Sequence, residues 1–128
     1  MTFSRLHHIA VICSDYAASK HFYTGVLGLR IISETYREDR GSYKLDLEIP
    51  GGTQIELFSF PAVPDRLSYP EACGLRHLAF QVRNLDADVT ALRDKGVAVE
   101  KVRLDELTGK RFTFFADPDG LPIELYEE

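Results

Sequence analysis

Internal repetition limits this chain more than any other feature. Leu6-His7-His8-Ile9-Ala10-Val11 returns as Leu75-Arg76-His77-Leu78-Ala79-Phe80, and Pro50-Gly51-Gly52-Thr53-Gln54-Ile55-Glu56-Leu57 returns as Pro118-Asp119-Gly120-Leu121-Pro122-Ile123-Glu124-Leu125. The spacings are 77 − 8 = 69 and 124 − 56 = 68, so the two halves stay nearly in register. A repeat this long means two copies of one supersecondary unit rather than a solenoid. Each copy carries one His near its first strand and one Glu in its last. Two His and two Glu make a divalent-metal ligand set.

Periodicity gives both copies the order β-α-β-β-β. In the first, Leu6 to Cys13 reads as a strand, Ser14-Asp15 as a helix N-cap, and Phe22, Tyr23, Val26 and Leu27 as a helical stripe closed by Gly28. Leu29 to Thr35, Tyr43 to Ile49 and Gln54 to Phe60 follow as strands, the last two joined by a Pro50-Gly51-Gly52 turn. In the second, Leu75 to Val82 is a strand and Asn84 to Asp86 caps a helix bearing Leu85, Val89 and Leu92 that ends near Gly96. Val97 to Val102, Arg111 to Phe115 and Leu121 to Tyr126 are its remaining strands. The expected organisation is a single α+β domain over 1–128: module one at 5–60, a proline-bearing linker at 61–73 and module two at 74–127. Glu34 to Ser42, with Arg37, Glu38, Asp39 and Arg40, reads as a charged loop.

Strand side chains alternate between faces. Ile9, Val11 and Cys13 share one face, and His8 and Ala10 the other; His77 and Ala79 likewise oppose Leu78 and Phe80. Glu56 opposes Ile55 and Leu57, and Glu124 opposes Ile123 and Leu125. His8, Glu56, His77 and Glu124 therefore all lie away from the aliphatic face. His7 has core-face parity, which makes His8 the better ligand.

The remaining composition narrows the partners. Fifteen basic against twenty acidic residues give a net charge of −5, which disfavours nucleic acid and anionic membrane. No apolar signal stretch or membrane span is visible, so a cytoplasmic protein is expected. Cys13 and Cys73, with no CxxC spacing, read as reduced, packed thiols. Lys110, Arg111, Arg37, Arg40 and Lys44 are candidates for holding a substrate carboxylate or phosphate, and Phe58, Phe60, Phe114 and Tyr126 for walling a site.

His8-Ile9-Ala10-Val11, Phe22-Tyr23-(x3)-Leu27-Gly28-Leu29, Ile55-Glu56-Leu57, Gly74-(x2)-His77-Leu78-Ala79-Phe80 and Asp117-Pro118-Asp119-Gly120-(x2)-Ile123-Glu124-Leu125 together resemble the vicinal oxygen chelate superfamily, in particular its short bacterial glyoxalase I (lactoylglutathione lyase)-like proteins. The resemblance spans Leu6 to Tyr126. It implies paired βαβββ modules whose mixed sheets curve into a cup around one divalent ion (Ni²⁺, Zn²⁺, Co²⁺ or Mn²⁺) held by His8, Glu56, His77 and Glu124. It further implies a homodimer, with ligands from one chain or two, and a small-molecule substrate such as an α-oxygenated carbonyl compound or thiol adduct. Glu124 is then the favoured base, with Glu56 the alternative, for a lyase or isomerase reaction through an enediolate. An epimerase or a non-catalytic metal- or small-molecule-binding protein is the other reading.

Bacterial glyoxalase I places an Arg four residues beyond its first ligand His and an Asn four beyond its first ligand Glu, both serving glutathione. Here those positions are Ile12 and Phe60. Each unpaired buried polar group costs about 1–3 kcal/mol, so the resemblance supports the metal chemistry more than glutathione. Extradiol dioxygenases and fosfomycin-inactivating thiol transferases use three protein ligands, so Glu56 counts against both. Epimerases usually have Gln at the matching place.

Overall fold

The computed structural model describes residues 1–128, which form two compact units, Met1–Asp65 and Arg66–Glu128. The first unit contains β1 (His8–Cys13), α1 (Tyr16–His21), β2 (Arg30–Arg37), β3 (Ser42–Glu48) and β4 (Gln54–Ser59). Asp15 caps α1 by accepting from the Ala18 amide at 3.0 Å. The helix then runs into a π turn at Phe22–Val26, where the Thr24 hydroxyl donates to the Lys20 carbonyl at 2.6 Å. Gly28, at φ 72°, turns the chain toward β2.

The strands form a four-stranded sheet in the order β1-β4-β3-β2. β1 runs parallel to β4, and the other pairs are antiparallel. A parallel pair needs a long crossover, here supplied by α1, β2 and β3. Tyr16 on α1 stacks on Tyr43 at 4.2 Å, which marks the helix-covered face; Leu45 and Leu47 follow Tyr43 on that face. Leu45, Leu47, Ile55, Leu57 and Tyr23 have no exposed surface.

The second unit contains β5 (Leu78–Val82), α2 (Leu85–Asp94), β6 (Arg103–Asp105), β7 (Lys110–Ala116) and β8 (Pro122–Glu127), with its sheet in the matching order β5-β8-β7-β6. Asn84 caps α2 through the Ala87 amide at 3.1 Å. Asp86 and Asp88 in the first turn and Arg93 in the last suit the helix dipole. Ile123, Leu125, Phe115, Leu85 and Leu92 are among its buried residues. Each unit is thus one βαβββ module.

Three expectations need correction. The Val97–Val102 strand is absent, and β6 begins only at Arg103. The Val97 amide closes α2 by donating to the Leu92 carbonyl at 3.0 Å while Gly96 donates to Arg93 at 2.9 Å, a Schellman ending that takes the chain out of ladder geometry. The charged loop at Glu34–Ser42 is instead the end of β2, a 3₁₀ turn at Glu38–Arg40 and the start of β3, with Gly41 at φ 55° making the reversal. Cys13 is buried and its thiol donates to the Phe58 carbonyl at 3.3 Å, whereas Cys73 is exposed rather than packed. No helix is long and apolar enough to cross a membrane.

Leu57 lies in a central strand with no exposed surface, so Leu57→Ala is expected to destabilise the fold by about 2–5 kcal/mol in urea unfolding. The Lys20 ammonium and then the Tyr16 hydroxyl hold the Glu34 carboxyl below its ordinary range. A lowered folded value contributes stability fully present above the ordinary 4.5 and lost as pH falls through the folded value. Glu34→Gln is therefore expected to be less stable near neutrality by no more than about 1 kcal/mol, a half-exposed pair being screened. Parallel melts of parent and variant at falling pH should show that gap close in acid.

Candidate functional site

In the first unit the parallel register sets Ala10 beside Glu56. His8 lies two residues earlier on the same face, so its ring reaches diagonally to the carboxylate, and Nε2 is 3.5 Å from Glu56 Oε2. The second unit repeats the arrangement. Ala79 pairs with Glu124, and His77 Nε2 is 3.2 Å from Glu124 Oε2. The imidazole side chains are 43% and 36% exposed and the carboxylates only 16% and 14%, so each Glu is set down among the strands with its His at the rim. All four residues lie opposite the helix-covered face, and each unit brings its own His and Glu together. Within neither unit does a third His, Cys or carboxylate complete a metal cluster.

His7 is exposed rather than turned to the core, because the strand begins only at His8. The His7 and His8 Nδ1 atoms lie 2.9 Å apart, and the rings meet edge to face. That contact takes up the Nδ1 edge of His8 and leaves Nε2 toward Glu56.

The surroundings of the two pairs differ. Opposite Glu56 on β3 stands Asp46. Lys44 bridges them, 2.9 Å from Asp46 Oδ1 and 3.3 Å from Glu56 Oε1, and the Ser33 hydroxyl donates to Asp46 Oδ2 at 2.7 Å. Burial pushes the Asp46 carboxyl up, but Lys44 and Ser33 outweigh it and hold the group below the usual range. The hydrogen bond to Asp46 raises the Lys44 ammonium in turn. In the second unit the residue opposite Glu124 is Phe114, whose ring meets His77 edge to face at 5.2 Å. Phe112 adjoins it, and Arg103 lies over both rings, 5.1 and 5.7 Å from their centroids. An ionic chain thus flanks Glu56, while aromatic rings flank Glu124, whose only ion-pair partner is His77. The repeat already aligns Lys44 with Phe112 and Asp46 with Phe114, but it does not reveal the bridging cation.

The second unit also holds a cleft of about 620 Å³ lined by residues including His77, Arg76, Arg103, Glu100, Tyr69 and Phe114. Part of the segment read as linker therefore forms a wall. It is fixed by Arg66, which donates to the Leu75 and Arg76 carbonyls at 2.9 and 2.8 Å, and by Arg76, which donates to the Ser68 carbonyl at 2.9 Å. Sequence reasoning missed Arg103 because its segment was placed outside the strands.

Most of the charged candidates are engaged elsewhere. Arg111 lies on the helix-covered face, bound to Glu127 at 2.7 Å and to Asp86 of α2 at 3.1 Å. Those carboxylates, Glu127 first, raise its guanidinium further, and the hydrogen bonds from Arg111 hold the Glu127 carboxyl low in turn. Lys110 bonds the Glu128 carbonyl. Arg40 is exposed beside Asp39, and Arg37 covers the Phe58 and Phe60 rings while donating to Ser42.

Residues 5–125 match the Glyoxalase/Bleomycin resistance protein/Dioxygenase superfamily. The uncharacterized protein YwkD of Bacillus subtilis is 61% identical over 128 residues, all of both chains, and the uncharacterized protein YaeR of Escherichia coli is 58% identical over 97% of this chain and 96% of its own. The crystal structure of a glyoxalase family protein from Enterococcus faecalis, 45% identical, has a TM-score of 0.91 over 99% of this chain and 100% of that one. More distant relatives include a 2-epi-5-epi-valiolone epimerase from an Actinomyces species, 28% identical over 94% of this chain and 77% of its own, and the metallothiol transferase FosB of Staphylococcus saprophyticus, 27% identical over 94% and 75%. TnmS3, an antibiotic binding protein from a Streptomyces species, has a TM-score of 0.78 at 28% identity over 99% of this chain and 98% of its own. The chain belongs to this superfamily of paired βαβββ modules, the vicinal oxygen chelate superfamily that its motifs resemble.

Proposed function

We propose that the protein is a divalent-metal-dependent enzyme of proton transfer, a lyase or isomerase of glyoxalase I type acting on a small α-oxygenated carbonyl compound or thiol adduct, and that His8, Glu56, His77 and Glu124 are its metal ligands. The observation that carries this reading is the duplicated pair, an imidazole nitrogen 3.5 and 3.2 Å from a carboxylate at equivalent register positions of two modules. The donor chemistry fits: two neutral imidazoles and two carboxylates balance a dication, and such N/O ligands suit Ni²⁺, Zn²⁺, Co²⁺ or Mn²⁺. The four ligands come from one chain or from two chains of a homodimer. When bound, the ion would act as a Lewis acid toward adjacent substrate oxygens.

The protein's own groups then divide the work. Glu124 takes the proton from the hydroxyl-bearing carbon, giving an enediolate, and returns it to the neighbouring carbonyl carbon while the hydroxyl proton passes to the other oxygen. Lys44 already engages one Glu56 oxygen, which suits Glu56 to a fixed ligand role and leaves Glu124 as the mobile base. Phe112 and Phe114 limit water on the Glu124 side. Returning the proton to the same carbon from the other face would be epimerisation, the reaction named for the Actinomyces relative. The likeness to an antibiotic binding protein supports a second reading, a binder without turnover.

Metal analysis of the purified protein, with calorimetric titration by each of the four ions, tests the first reading; no uptake of any ion would refute it. His77→Ala is expected to weaken metal binding by more than about 100-fold, since loss of an outer-shell partner alone costs up to that much. Activity should be sought with hemithioacetals of methylglyoxal and several thiols and with α-hydroxyketones. On whichever turns over, Glu124→Gln should slow the reaction by about 10²–10⁴-fold; full turnover by that variant would remove Glu124 from the base role. Metal uptake with ligand binding but no turnover would favour the binder.

A further inference from the structure

Arg103 opens β6 beside two aromatic rings of β7. Its guanidinium rests on the Phe112 and Phe114 rings, 5.1 and 5.7 Å from their centroids. One nitrogen, Nη2, bonds Glu100 Oε2 at 3.1 Å in an exposed pair, while Nε and Nη1 have no hydrogen-bond partner. Exposed ion pairs of this kind are weak and readily exchanged. Contact with two aromatic rings limits the freedom of the guanidinium, so a partner that binds it has less freedom left to remove.

Arg103 and His77 both line the cleft of about 620 Å³, a volume within the ordinary range for small-molecule sites. The cleft is lined by two guanidinium groups, Arg76 and Arg103, against the single carboxylate of Glu100. Arg76 is committed to the wall: it donates to the Ser68 carbonyl at 2.9 Å, lies 3.7 Å from Glu71 and sits over the Tyr69 ring at 5.0 Å. On Arg103 only the exposed Glu100 pair has to yield, and a fork of parallel N–H groups matches a carboxylate or a phosphate.

We infer that Arg103 is the specificity-determining residue of this site and that the substrate carries an oxyanion, a carboxylate or a phosphate, which displaces Glu100 and docks on the edge of the Arg103 guanidinium. This deepens the function proposed above and rests on it for where the reaction occurs, but anion docking itself needs no metal. The anion on Arg103 would fix one end of the substrate and leave the reacting carbons toward His77 and Glu124.

The test is a ¹H–¹⁵N NMR titration of the full-length protein, with and without Zn²⁺, using lactate, its neutral isostere lactamide, and inorganic phosphate. Lactate or phosphate should shift the Arg103 Nε–Hε resonance and the Phe112 and Phe114 amides saturably, and lactamide should not. The tighter of the two anions tells a carboxylate substrate from a phosphorylated one. Arg103→Met should weaken that anion by about tenfold or more, the size expected for losing a charge-assisted hydrogen bond, and Arg103→Lys by less. Zn²⁺ uptake should be unchanged in both variants, and near-UV circular dichroism verifies their folding. No saturable shift, an equal response to lactamide, or undiminished binding by Arg103→Met would overturn the inference. Anion binding without Zn²⁺ uptake would refute the metal reading and leave this one standing.

Discussion

Everything in the candidate site depends on the parallel pairing of the first and last strands of each module. In an antiparallel hairpin the chain would return at once, and the His and Glu positions would be set by turn length. Here a helix and two strands lie between them, and the β1–β4 ladder alone decides which residues meet. With Ala10 beside Glu56 and Ala79 beside Glu124, the His two residues upstream has only one carboxylate in reach. A slip of one residue would carry the carboxylate to the helix-covered face and put an aliphatic side chain in its place. The buried Ile55 and Leu57, and Ile123 and Leu125, oppose that slip, so the hydrophobic core fixes the geometry of the polar pair.

The same ladder is used with different neighbours. Beside Glu56 the third strand supplies Lys44 and Asp46; beside Glu124 it supplies Phe112 and Phe114. Half-buried carboxylates require compensation for lost hydration. Glu56 obtains it from an ammonium shared with Asp46, and Glu124 from its imidazole neighbour. Two carboxylates equivalent in backbone are therefore inequivalent in chemistry, one tied to an ammonium and the other set among aromatic rings.

Both His–Glu pairs were legible in the sequence because each depends on local rules: a repeat of fixed offset and the two-residue alternation of strands. Arg111 could have been placed as well, since it shares parity with Thr113 and Phe115, both buried. The β6 position was not legible. Val97 to Val102 has the residue types of a strand, yet the Val97 amide is engaged in ending α2, a competition that periodicity does not register. The same error hid Arg103. The link from Lys44 to Glu56 and Asp46 joins residues on two strands, and its geometry is set by side-chain reach rather than by any pattern along the chain. His7 was misread for a simpler reason: alternation was extended one residue past the strand's true beginning.

The duplication of the His–Glu pair has a consequence for how such a protein can change over generations. The pair is set by one ladder and the wall by the strand beside it, so substitutions at Lys44, Asp46, Phe112 or Phe114 leave the strand register in place. A lineage can therefore alter one wall while the other module keeps its own His–Glu pair and its surroundings unchanged. Duplication followed by divergence of the walls thus gives one backbone geometry two chemically different settings for the same pair.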